Sequence, residues 1–260
     1  MMIKNDHWLN PNARCDRREH PFIHAIIRNA FDPALLSRVA AEFPESMPKK
    51  YNDDKQVKEA APGTEAMGPT TRELVAYLRD EPFLRLLQDL TGIKETLISD
   101  PYFDGGGLHE IKRGGFLKIH ADFNKHKLTG LDRRVNVLIY LNNDWKEEWG
   151  GHLELWDRDM TACQSRIAPQ FNTMVIFNTD DFSYHGHPDP LNCPPTRSRR
   201  SLALYYYSNG RPSHEVSGTH STLFKKRKGI DRFRKSRHEI VKDWVPPIIV
   251  RAIHNMRKHD

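Results

Sequence analysis

Apolar positions follow two different periods along this chain. In the first ninety-odd residues they recur at three and four. Leu35, Leu36, Val39, Ala40 and Phe43 in AFDPALLSRVAAEFP predict a helix from Pro33 to about Phe43, with Asp32 as N-cap and Pro33 at the first helical position. Thr70-x-x-Glu73 has the capping-box pattern ahead of Leu74, Tyr77 and Leu78, and a second helical stretch runs from Glu81 to Leu90, closed by Gly92. Between these helices, Pro48 to Met67 is polar and aperiodic, which predicts a long mobile loop, either a lid over a site or a disordered insertion.

From Thr96 the period shortens to two, in runs bounded by Gly, Asn, Asp or Pro. These are Thr96 to Phe103, Gly107 to Lys112, Phe116 to Asp122, Arg134 to Leu141, His152 to Trp156, Gln164 to Ala168, Thr173 to Phe177, Phe182 to His185 and Arg199 to Tyr207. About eight or nine strands with no helix between them predict a mostly β protein with flanking helices, and a double-stranded β-helix, or jelly roll, fits that count. The expected organisation is a single domain overall: helical support and a lid loop over 1–95, the β core over 96–212, and a basic tail with a short helix over 213–260.

Composition narrows the class. With 38% apolar and 28% charged residues in 260, the chain reads as a soluble domain with polar loops. No apolar run reaches the length of a membrane span, and MMIKNDHWLN lacks the apolar core of a signal peptide, so a cytoplasmic location is expected. Cys15, Cys163 and Cys193 are scattered and odd in number, which argues against a disulfide framework or a zinc knuckle. Charge is unevenly placed. From Ser221 to Asp260 there are twelve Lys or Arg against four Asp or Glu, so the net +6 is made by the tail, while the first 220 residues are slightly acidic.

The candidate chemistry lies in FLKIHADFN. On a strand, His120 and Asp122 point to one face and supply two corners of a metal site. His185 in SYHGHP is the natural third. Two imidazoles and one carboxylate on one face of an iron leave positions open for a cosubstrate and oxygen. Spacing alone is weak evidence: fourteen His in this length give a chance His-x-Asp about once, and His187-Pro-Asp189 is a second instance. The first pair lies in a strand-like run, however, whereas the second contains a proline and reads as loop.

Four stretches in fixed order, FLKIHADF, RRVNVLIYLNNDW with WGGHLELW, NTMVIFNTDDFSYHGHP and RSRRSLALYYYS, together resemble the iron(II)- and 2-oxoglutarate-dependent dioxygenases, most closely their prolyl-4-hydroxylase-like branch. The resemblance covers Gly107 to Ser208. It implies that His120, Asp122 and His185 hold Fe(II), with His187 an alternative to His185. It further implies that an arginine on the following strand grips the far carboxylate of 2-oxoglutarate. Arg199 fits that place, Arg200 is the runner-up on the opposite face, and Arg197 is also near. Tyr140 matches a tyrosine that donates to the same carboxylate, and Asn136 alternates with it on the cofactor-binding face. Fe(II), 2-oxoglutarate and O2 are the implied cofactors, with ascorbate as reductant in vitro. The implied reaction is hydroxylation of an unactivated C–H bond of a small-molecule or peptidyl substrate, with release of succinate and CO2. Halogenating relatives replace the carboxylate ligand by Gly or Ala, so Asp122 favours hydroxylation or desaturation.

Other residues have plainer readings. His109 lines a pocket or is a structural histidine, and His126 and His152 are surface or fold histidines. Trp145, Trp149 and Trp156 form a pocket wall or pack. Asn124 reaches the entrance or starts a loop, and Tyr205 and Tyr207 are expected to face inward with Arg199. KKRKGIDRFRKSRHE followed by WVPPIIVRAIHNMRK reads as a basic run and an amphipathic helix, a place for an anionic partner or a solvated segment docked on the core. It has no aromatic-interleaved RNA signature, so nucleic acid is not expected. The competing classes are a non-catalytic jelly-roll metal- or ligand-binding protein and a divalent-metal hydrolase or isomerase in the same barrel.

Overall fold

A single curled antiparallel sheet carries the molecule, and its two faces explain the alternation in the sequence. The computed structural model describes residues 8–231. In chain order the elements are β1 (Arg14–Arg18), β2 (His24–Arg28), α1 (Pro33–Ala41), β3 (Lys49–Asn52), β4 (Gln56–Ala61), α2 (Pro69–Arg79), α3 (Glu81–Thr91), β5 (Ile98–Ser99) and β6 (Gly107–Lys112). There follow β7 (Phe116–Ala121), β8 (Asp132–Tyr140), β9 (Leu153–Trp156), β10 (Cys163–Ile167), β11 (Thr173–Asn178), β12 (His185–His187), β13 (Ser198–Ser208) and β14 (Leu223–Phe224). The strands are ordered β1-β2-β11-β8-β13-β6-β4-β7-β12-β9-β10, with β3 beside β4, β5 beside β13 and β14 beside β7.

Odd positions of β8 (Val135, Val137, Ile139) and the apolar Met174 and Ile176 of β11, Leu202 and Leu204 of β13 form one core with Leu36, Val39, Leu74, Leu78, Phe83 and Leu87 of the helices. Each such side chain contributes roughly 1.5–3 kcal/mol relative to exposure, so the helices are fixed as a layer on the outer face. The opposite positions turn into the curl. There Tyr140, Val175 and Phe177 meet Leu153, Leu155 and Ile167 from β9 and β10, which closes the sheet over itself as a jelly roll.

The local signals were realised unevenly. Asp32 caps α1, its carboxylate accepting from the Ala34 and Leu35 amides at 2.8 and 3.0 Å. The expected capping box at Thr70 is not used: α2 starts after Gly68, and Glu42, beyond the end of α1, accepts from the Thr70 and Thr71 amides at 2.9 and 2.7 Å. A carboxylate from outside the helix therefore does the capping. Residues 48–67, expected as a mobile lid loop, instead contain the β3–β4 hairpin, whose β4 is hydrogen-bonded between β6 and β7. The polarity that hid it has a cause: Gln56 and Lys58 face an internal cavity, while Glu59 on the other face pairs with Lys112 at 3.1 Å. The N-terminal β1–β2 hairpin also joins the sheet, through β11. So does β14, with Leu223 opposite Ala121 and Phe224 opposite His120. One sheet thus draws strands from all three expected segments. The amphipathic helix expected in the tail lies outside the described residues, among which no helix is long and apolar enough to cross a membrane.

Candidate active site

The cavity inside the curl has a volume of about 200 Å³. Its floor is the pairing of β7 with β12, which puts His185 directly opposite His120, ring centroids 4.4 Å apart. Gly186 permits this closeness, since a Cβ there would lie 2.8 and 2.9 Å from the Leu117 and Lys118 carbonyl oxygens. Asp122, just past the end of β7, completes the group: one ligand atom each from His120, Asp122 and His185 lie within 4.8 Å of one another. Asp122 Oδ1 is 3.6 Å from His120 Nε2 and Oδ2 is 3.5 Å from His185 Nε2.

The donor set suits a divalent metal. His120 Nδ1 and His185 Nδ1 lie 2.8 and 2.9 Å from the carbonyls of Lys118 and Ser183. A carbonyl only accepts, so both Nδ1 atoms carry the proton and both Nε2 lone pairs face the carboxylate, the tautomer a metal requires. Burial, with His120 adding, holds His185 down at about 4, so it is a neutral imidazole near pH 7. Burial alone would raise the Asp122 carboxyl, but the Arg133 guanidinium beside it holds it well below the ordinary carboxylate range. The triad expected from sequence is therefore assembled, with the carboxylate ionised. His187, the alternative ligand, lies in β12 rather than in a loop and lines the same cavity, outside the converging group.

Arg133 is the residue that sequence reasoning missed. It is 1% exposed, donates to Asp122 Oδ2 at 2.9 Å and to Asn136 Oδ1 at 2.8 Å, and lies 3.5 Å from the Tyr205 ring centroid and 4.5 Å from that of Phe123. Its sequence signal is slight, one of two adjacent arginines, Arg133 and Arg134, near the start of an apolar strand. Asn136, expected to touch the cosubstrate, commits its Nδ2 to Asp122 Oδ2 at 2.8 Å and its Oδ1 to Arg133. Its contribution is thereby to hold the carboxylate, although it also lines the cavity.

Arg199 and Tyr140 meet on the wall formed by β8 and β13. Arg199, 4% exposed, donates from Nη2 to the Tyr140 hydroxyl at 3.1 Å and from Nε to the Gly151 carbonyl at 2.8 Å. Burial lowers the arginine and raises the tyrosine, each opposed by the other's presence, so the pair stays cation and neutral phenol. Arg200 faces outward, bonded to Glu110 at 3.1 Å and stacked on Phe43. Arg197 is likewise outside, against Asn143 and Trp149.

The remaining expectations sort by position. His109 lines the cavity, its Nε2 3.0 Å from the Gly105 carbonyl, and burial pushes it down to about 3. His126 and His152 are buried, beside Asp100 and Glu147. The tryptophans are packing residues away from the cavity: Trp145 and Trp149 meet edge to face at 5.2 Å, and Trp156 donates to Glu154. Tyr205 faces inward, but a bulge between Tyr206 and Tyr207 turns Tyr207 toward His126. Asn124 anchors the following chain through Ser217, Gly218 and the His220 amide, leading to Thr222 and Phe224 at the cavity. In the basic run Arg227 is turned inward, paired with Asp189 at 2.7 Å and Asp231 at 3.0 Å.

Comparison with known proteins agrees with this geometry. Residues 106–226 match the family described as the 2OG-Fe(II) oxygenase superfamily. A mouse protein, prolyl 3-hydroxylase OGFOD1, is 26% identical over 131 residues, which are 48% of this chain and 22% of that one, so the match spans about a fifth of the curated relative. Among solved structures, a Pseudomonas putida prolyl-4-hydroxylase covers 72% of this chain and 93% of its own at TM-score 0.54 and 14% identity. HygX from Streptomyces hygroscopicus, with nickel and 2-oxoglutarate bound, covers 77% and 92% at TM-score 0.51 and 12% identity. At these identities the structures speak for the jelly-roll fold.

Proposed function

From the match of residues 106–226 to the 2OG-Fe(II) oxygenase superfamily, we propose that this chain is such an oxygenase and uses Fe(II), 2-oxoglutarate and O2 to hydroxylate an unactivated C–H bond of a small-molecule or peptidyl substrate, releasing succinate and CO2. The observation that carries the reading is the pairing, in one cavity, of the convergent His120, Asp122 and His185 with the buried Arg199 and Tyr140. A sugar- or ligand-binding jelly roll has no need of that second pair.

In this reading the two Nε2 atoms and the Asp122 carboxylate hold the iron, and Arg133 and Asn136 keep the carboxylate ionised and oriented. Arg199 receives the far carboxylate of 2-oxoglutarate by its fork of N–H donors, and the Tyr140 hydroxyl adds a neutral donor. The bound metal, cosubstrate and oxygen together supply the oxidising power, and the protein supplies position and a largely water-excluding wall. The presence of Asp122 where a halogenating site needs space for halide favours hydroxylation or desaturation.

Purified protein given Fe(II), ascorbate and 2-oxoglutarate is expected to form succinate even without its substrate, and Asp122→Ala to form none. Absence of succinate from the wild-type protein, or full turnover in the variant, removes the assignment. The same assay separates the enzyme from a non-catalytic binding protein and from a metal hydrolase, neither of which consumes 2-oxoglutarate.

A further inference from the structure

Three cations line the cavity: Lys58, Arg133 and Arg199. Two are committed. Arg133 is bound to Asp122 and Asn136, and Arg199 to Tyr140 and Gly151. Lys58, on β4 where that strand enters between β6 and β7, makes no side-chain hydrogen bond or ion pair within the described residues, its near contact being the Tyr51 ring 5.3 Å from Nζ. Its neighbours do not supply the missing anion: Glu59 points to the opposite face, to Lys50 and Lys112, and Asp122 is taken by Arg133.

An ammonium with no anion opposite it in a half-buried cavity is costly, and the face of the Tyr51 ring offsets only part of that cost. The cosubstrate leaves it unused as well. Of the two carboxylates of 2-oxoglutarate, one belongs with the metal and the other with Arg199, so a third cation addresses a third anion. Lysine offers a single compact charge, and a cavity of about 200 Å³ that must also admit the cosubstrate has room for an anionic group no larger than a carboxylate. Consistent with a counterion yet to arrive, burial, reinforced by Arg133 and Arg199 against the pull of Asp122, brings Lys58 down to about 8.

We propose that Lys58 is a substrate-binding residue, and that the substrate of this site carries a carboxylate close to the carbon that is oxidised. The inference rests on the dioxygenase reading above.

The test uses the full chain loaded with Mn(II) and saturating 2-oxoglutarate, and two probes of equal shape, isobutyrate and isobutyramide. Proximity to the metal is read as enhanced relaxation of their methyl protons. Isobutyrate is expected to relax at least fivefold more than the amide. In Lys58→Met the difference should vanish while the thermal shift produced by 2-oxoglutarate stays within a degree or two of wild type, and Lys58→Arg should keep most of it. Equal relaxation of the two probes by the wild-type protein, or an undiminished difference in Lys58→Met, overturns the proposal. A 2-oxoglutarate shift lost in Lys58→Met also overturns it, by assigning the lysine to the cosubstrate. If the wild-type protein shows no 2-oxoglutarate shift at all, the dioxygenase reading fails and this inference with it; discrimination failing while that shift is present sinks the inference alone.

Discussion

Arg133 and Asp122 form a buried ion pair at 2.9 Å at the edge of a metal-ligand set. The pair holds a carboxylate ionised inside the protein before any cation arrives, at the expense of burying a guanidinium. That relationship makes stability and metal binding interdependent. Arg133→Met leaves Asp122 buried without its countercharge, and breaking a buried pair from one side costs about 3–5 kcal/mol. A divalent ion restores the missing positive charge. The variant is therefore expected to melt well below wild type when metal-free, and to gain more than wild type on adding Mn(II). Thermal melts with and without Mn(II) check this, and an equal gain in both proteins would show that the guanidinium is independent of the metal site.

The second prediction separates two adjacent arginines. Arg199 is buried against Tyr140 and Arg200 is outside on Glu110, so only the first can reach a diacid in the cavity. Losing one partner of a buried charge-assisted contact costs about 2–5 kcal/mol, or roughly thirtyfold to several-thousandfold. Arg199→Ala should raise the 2-oxoglutarate concentration needed for half-maximal succinate formation by at least thirtyfold, while Arg200→Ala should stay within about threefold. The reverse order would move the anchor to the other face of β13.

How much of this was readable beforehand follows from which residues repeat locally. Period two puts His120 and Asp122 on one face of a strand, and it is the resemblance of four ordered stretches that joins His185 to them. The resemblance favours Arg199 over Arg200 through the small and apolar residues that follow it, and alternation then puts it on the face of Ser201 and Tyr205. Arg133 escaped because its role is defined by a partner eleven residues away across the sheet, which no single-strand pattern contains. The β3–β4 hairpin escaped for a related reason: Gln56 and Lys58 turn polar side chains to the cavity and Glu59 interrupts Val57 and Ala61 on the other face, so hydrophobic alternation is silent there. The cap of α2 came from Glu42, twenty-eight residues before the Thr70 amide it binds, so a local box pattern misled.

A third prediction concerns the contact that brings the two histidines together. Gly186 lies against the backbone of β7, where a methyl group would sit under 3 Å from two carbonyl oxygens. Gly186→Ala should push β12 away from β7, lowering stability by about 1–3 kcal/mol and carrying His185 off the axis shared with His120. A Cβ on Gly218 meets nothing within 4 Å, so Gly218→Ala serves as control with little effect. Denaturant midpoints give the stability, and Mn(II) titration by electron paramagnetic resonance gives the metal affinity. A Gly186→Ala protein of wild-type affinity would show that β12 tolerates displacement.

Lys58 gives the last prediction, now for the ligand-free protein. Its folded value of about 8 against an ordinary 10.5 means that between those pH values the unfolded chain binds more protons than the folded one. Stability owed to this group therefore rises with pH across that window, and below about pH 8 the folded state bears the full cost of a charged, unpaired ammonium. At 1.36 kcal/mol per unit the ceiling is roughly 3 kcal/mol, and partial exposure brings the expectation to about 1–2 kcal/mol. Lys58→Met should accordingly be more stable than wild type by about that amount at pH 7, and the advantage should shrink as pH rises from 8 toward 10.5. The other titrating groups are common to both proteins, so the difference between their urea-unfolding free energies at pH 7 and pH 10 isolates the lysine. An advantage that does not change with pH would mean that only apolar burial had been gained, and that the ammonium had been solvated all along.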